Sequence, residues 1–119
     1  ISQEMASDFL SEVKGIMDQF ADFRLEIWTF DTQTYGYKVF TPNNADEIYD
    51  YKCLGGGGTD FMCNWEFMKE NDIEPHKLVM FTDGYPCGSW GDENYCDTLF
   101  IIHSDKSIEP PFGAHAHYE

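Results

Sequence analysis

Apolar residues fall at Met5, Phe9, Val13, Ile16, Met17 and Phe20, three or four positions apart. That is the period of an amphipathic helix lying on a core, and it predicts a helix from Ser2, a suitable N-cap, to about Phe20. The period then changes. In "FRLEIWTFD" Leu25, Ile27 and Thr29 alternate with Glu26, Trp28 and Phe30, which predicts a strand ending at Asp31. "TYGYKVF", Thr34 to Phe40, predicts a second, shorter strand. "TPNNADEIYDY" carries Pro42, two asparagines and acids, and predicts a loop with one helical turn near Ala45 to Tyr49.

Beyond the glycines at 55 to 58, Phe61, Met62, Trp65 and Met68 return to helical spacing. They predict a helix capped by Thr59 or Asp60 and ending near Asn71. "KLVMFTDG" is a continuous apolar run from Leu78 to Phe81, stopped by Thr82, Asp83 and Gly84, and "TLFIIHS" is another, from Thr98 to Ser104. Runs apolar on both faces are what buried parallel strands look like, and the first reads as a central one. "IEPPFGAHAHY" predicts a turn and a short last strand. Strands alternating with helices predict an α/β fold with a mostly parallel sheet covered on both faces. In such sheets ligands collect at the carboxyl ends of the strands. Asp31 and Asp83 both fall at such ends, and Thr59 falls at the start of a helix that faces the same rim.

Length adds that 119 residues make one domain with a modest core, here residues 1–119. Aromatic residues at 17% argue against disorder. The formal net charge of −15 excludes a nucleic-acid binder of the ordinary basic kind and disfavours an anionic membrane surface. The first reading of that charge is a solvated acidic surface, and the second a site for a divalent cation or a basic partner. No apolar run reaches the length of a membrane span and no leader is visible, so the cytoplasm is the expected location. The chain opens on "ISQEM", so a segment upstream is expected. Four cysteines at 53, 63, 87 and 96 form no C-x-x-C pair and read as ordinary thiols. In "HAH" the rings of His115 and His117 share one strand face, a spacing that can chelate a metal but at the end of a chain more often does nothing specific.

The motifs "FDT" (Phe30 to Thr32), "GGGTDF" (Gly56 to Phe61), "FTDG" (Phe81 to Gly84) and "PPFG" (Pro110 to Gly113) occur in that order. Together they resemble the von Willebrand factor A (VWA) fold, and more narrowly the VWA-like C-terminal domain of bacterial and phage metallopeptidase-related proteins. The resemblance spans nearly the whole chain and implies a Rossmann-like sheet of order 3-2-1-4-5. It also implies a metal-ion-dependent adhesion site holding Mg²⁺ or Mn²⁺. There a D-x-S-x-S loop supplies an acid and two hydroxyls, a second loop a threonine matching Thr59, and a third an aspartate matching Asp83. Asp31, at the neighbouring strand end, would hold a coordinated water. Gly56, Gly57, Gly58 and Gly84 would let the loops turn close to the ion.

No D-x-S-x-S occurs in these residues. In the family that loop ends the first, central strand, just ahead of the first helix. The resemblance therefore implies that the first strand and three ligands lie upstream. Two oxygen ligands are too few to displace most of the water around Mg²⁺, so no well-ordered metal is expected in this chain. The expected function is non-catalytic, a module for metal-assisted binding of a protein that presents an acidic residue. The alternative is an accessory C-terminal domain of a metallopeptidase with a structural or assembly role. Taken singly, Thr59 reads as a helix cap and Asp83 as a turn-former.

An enzyme is not expected. There is no H-E-x-x-H, and neither a Ser-His-Asp nor a Cys-His arrangement can be argued. A phosphate cradle fails because "GGGGTDF" lacks the P-loop lysine and carries an acid instead. An unpaired inner strand edge would also invite homo-oligomerisation.

Overall fold

The computed structural model describes residues 3–52, 60–103 and 105–118. The elements are α1 (Gln3–Met17), β1 (Leu25–Phe30), β2 (Thr34–Phe40), a 3-10 helix (Ala45–Asp50), α2 (Met62–Glu70), β3 (Lys77–Thr82), β4 (Asp97–His103) and β5 (Ala114–Tyr118). They fall into two compact units. One contains α1, β2, the 3-10 helix and β1 up to Thr29; the other contains residues Phe30–Gln33 with α2 and β3 to β5.

In the first unit, α1 presents Leu10 and Met17 to Phe40 of β2 and Ile48 of the 3-10 helix, with Val13, Phe23, Leu25 and Ile27 packed around them. Lys14 sits at the edge of this core, and its ammonium answers Asp18 at 2.6 Å and Asp46 at 3.4 Å. Those partners, the Asp18 hydrogen bond first, hold its pKa above the ordinary lysine value. The apolar period that extended the helix to Phe20 overshoots: α1 ends at Met17 and closes with tight turns from Gln19 to Ile16 and Phe20 to Met17. Phe20 then lies largely in solvent, 58% exposed. The Ser2 cap lies outside the described residues. β1 and β2 form a two-stranded sheet joined by three residues, a link too short for a parallel crossover.

The second unit holds the parallel sheet, in the order β3-β4-β5. β3 pairs with β4 from Lys77↔Asp97 to Thr82↔Ile102, and β4 with β5 from Leu99↔Ala114 to His103↔Tyr118. Among the described strands β4 lies between β3 and β5. On one face Met80 and Thr82 of β3 and Thr98, Phe100 and Ile102 of β4 are buried. Phe61, ahead of α2, and Trp65 and Met68 within it are fully buried too. Phe61 stacks near-parallel to Phe100 with ring centres 6.4 Å apart, and Trp65 meets Phe112 at 6.4 Å. The other face is covered less: Leu99 and Ile101 are half-buried, and Val79 is 41% exposed. The continuous apolar runs are thus used fully on one side of the sheet and partly on the other.

Gly91 fixes the long β3–β4 connection onto α2. Its φ is +130°, and a Cβ there would stand 2.2 Å from Cη2 of Trp65. The backbone lies flat on the indole, which only glycine permits. Beside it Tyr95 donates its hydroxyl to the Ile73 carbonyl, and Lys69 meets Asp92 at 3.1 Å.

Candidate functional site

The carboxyl ends of the strands are shaped by short polar turns. Asp31 follows β1 and is 9% exposed. Its Oδ1 accepts the amides of Thr32 and Gln33, a turn that stops the strand. The Asp31 carbonyl accepts the amide of Asp60 at 2.8 Å. That bond brings the residue following the glycine-rich loop to the end of β1.

Aromatic packing makes the junction firm. Phe61 meets Phe30 edge-on at 5.9 Å and Trp90 at 5.4 Å, in addition to Phe100. Asp60 also caps α2, as its Oδ1 accepts the Met62 amide at 3.1 Å and its carbonyl the Cys63 amide at 3.4 Å. Asp60, one of the two residues predicted as the cap, thus meets the start of α2. Thr59, Gly56, Gly57 and Gly58 lie outside the described residues.

The cluster of acids around this helix start acts on Cys63. Burial first, then Asp60, Glu66 and Asp31, push its thiol up to about 11. A thiol so placed stays largely protonated near neutrality, which lowers its reactivity.

Asp83 ends β3. Its Oδ1 accepts the Tyr85 amide at 3.0 Å, while Gly84 donates its amide to Thr82 Oγ1 at 3.1 Å. Gly84 has φ +85°, and a Cβ there would stand 2.8 Å from Ile108, so the turn needs its glycine. Asp83 is half-buried. A carboxylate offers about four lone-pair sites, so this turn bond leaves it able to coordinate. Burial lowers the pKa of neighbouring His103, and the charge of Asp83 works against that.

Reasoning from sequence missed Asp105. It lies two residues past β4 and accepts hydrogen bonds from Tyr85 Oη and from the Ser107 amide and hydroxyl. These hold its carboxyl down at about 2, the Ser107 and Tyr85 side chains contributing most. The signal available was Asp-x-Ser directly after a strand, the mark of a side-chain-closed turn.

Asp31 is thus brought beside Asp60 and Cys63, and Asp83 beside Tyr85 and His103. Among the described residues no group of three or more His, Cys, Asp and Glu side chains is arranged to hold a metal ion. The donors on offer are hard oxygens, the kind Mg²⁺ prefers, and they need others to complete a shell of six.

A sheet of parallel strands with acid-bearing turns at their carboxyl ends, covered by a helix, defines a Rossmann-type α/β module. The chain belongs to the VWA-like domain (DUF2201) family, whose model matches residues 1–119. No curated protein and no solved structure matches it. Among the described residues no helix is long and apolar enough to cross a membrane.

Proposed function

We propose that this VWA-like domain is a non-catalytic module that binds a protein partner with the help of a divalent cation, Mg²⁺ or Mn²⁺. The supporting observation is the 2.8 Å bond from Asp60 to the Asp31 carbonyl. Thr59 is the residue next to Asp60 in the sequence. Asp83 supplies the charged ligand and Thr59 a neutral one, directly or through water. Asp31, its side chain fixed by two amides, orients a coordinated water. The ion supplies a positive centre with an open position for a partner's carboxylate. Two ligands from this chain would hold it weakly, and a loop of the D-x-S-x-S type, which residues 1–119 do not contain, would be needed to complete the shell.

The test is calorimetric titration of Mg²⁺ and Mn²⁺ into this chain and into a form extended upstream through the first strand and its loop. Strong binding by the extended form, abolished by Asp83→Ala, is the expected result. If neither form binds, the adhesion-site reading fails and an assembly role without metal takes its place.

A further inference from the structure

His115 and His117 stand two residues apart on β5, so both rings leave the same face of the strand. They are registered with Phe100 and Ile102, and so share the face on which those residues are buried. Same-face side chains on a strand start about 7 Å apart at Cβ. The two ring centres are nevertheless only 5.3 Å apart, with their planes at 80°, so the rings lean toward each other.

His117 is also oriented. Its Nε2 lies 3.0 Å from the Ile108 carbonyl oxygen. A carbonyl has no proton to give, so Nε2 carries a hydrogen, and in the neutral ring Nδ1 then holds the lone pair. A ring nitrogen tied to a backbone carbonyl while the other is left basic is how proteins hold a metal-ligating imidazole.

The spacing fits such an ion. Two imidazoles bound to one Zn²⁺ at about 2.0–2.1 Å, with the ring centre about 1.2 Å beyond each nitrogen and a tetrahedral angle between them, have centres about 5.3 Å apart. Asp105 lies within electrostatic reach of His117. Its carboxylate is engaged by Tyr85 and Ser107, so it acts as a neighbouring negative charge and not as a ligand. His115 is exposed, which leaves the outer side of the pair open.

We propose that His115 and His117 form a two-imidazole site for a borderline divalent transition metal, with Zn²⁺ matching the observed spacing and the remaining positions open to water or a ligand from another molecule. Its nitrogen donors select a different class of ion from the oxygen donors at Asp31 and Asp83. The two sites are therefore separable by choice of metal.

The experiment is a Zn²⁺ titration followed by ¹⁵N NMR of the imidazole nitrogens. It is carried out on the Cys87→Ser protein, because the exposed Cys87 thiol is a competing soft ligand. Nδ1 of His117 and one nitrogen of His115 should move together along one saturating curve, and Mg²⁺ at equal concentration should move neither. His115→Ala, a change at an exposed position, should weaken Zn²⁺ binding by on the order of tenfold or more. His117→Gln should do likewise, and circular dichroism checks the fold of both variants. Independent, non-saturating shifts, or unchanged affinity in folded His115→Ala, would overturn the proposal.

Discussion

Replacing Phe61 by alanine removes the ring that ties the start of α2 to the end of β1 and to β4. Phe61 is 0% exposed and touches Phe30, Trp90 and Phe100. Truncating a fully buried phenylalanine costs about 3–5 kcal/mol, and three aromatic neighbours place this site near the middle, at about 4 kcal/mol. Against a total stability of about 5–15 kcal/mol, that is a large share. With unfolding entropy of about 2.1 cal/mol/K per residue, it corresponds to a drop in Tm of roughly 15 °C.

Urea unfolding followed by tryptophan fluorescence measures it, since Trp65 and Trp90 belong to the same compact unit as Phe61. The midpoint should fall with little change in slope, and Phe61→Leu should recover about half of the loss. A loss under about 1 kcal/mol would refute the reasoning, because it would mean that the cluster does not hold the helix start in place.

Three further outcomes are expected. Gly91→Ala drives a methyl group into the Trp65 indole at a positive φ, so urea unfolding should show a cost of about 2–4 kcal/mol. Asp105 has a folded pKa of about 2 against an ordinary 3.8, so its contribution is complete above the higher value and is lost as pH falls toward the lower. Urea midpoints should therefore show wild type ahead of Asp105→Asn at pH 5 and the gap closing below about pH 3. Burial raises the Cys63 thiol to about 11 while Cys87 is exposed, so peptide mapping after iodoacetamide at neutral pH should find Cys87 alkylated on the order of tenfold faster or more.

Much of the fold was legible in the pattern of apolar residues, and the exceptions have physical causes. Leu78 to Phe81 and Thr98 to Ile102 announced parallel strands because an apolar run on both faces has few other uses. The same pattern did not tell how evenly each strand is covered. Periodicity reports burial, not neighbours, and Val79 at 41% exposure was indistinguishable in sequence from the more buried Leu99. Phe20 extended the helical period past the true end of α1 because an apolar residue in the closing turn keeps the spacing without keeping the helix.

At the candidate site, Asp31 and Asp83 were legible as carboxylates at strand ends, since strand followed by Asp and turn is a local signal. Asp105 was not, because its meaning comes from Tyr85, twenty positions earlier, whose hydroxyl reaches it only in the folded chain. That Asp60 accepts the Met62 amide was legible only as one of two options, because adjacent Thr and Asp are both suited to meet a helix start.

The claim that the strand-end acids and the glycine-rich loop serve one ion is tested most directly by Mn²⁺-induced broadening of backbone amide signals. Broadening falls off steeply with distance and registers even weak binding. At low Mn²⁺ the amides of Asp31, Thr59, Asp60, Gly84 and Tyr85 should broaden first and together, and Asp83→Ala should remove the effect at all five. Broadening at Gly84 and Tyr85 without Asp31 and Thr59, or persistence of all of it in Asp83→Ala, would contradict the account.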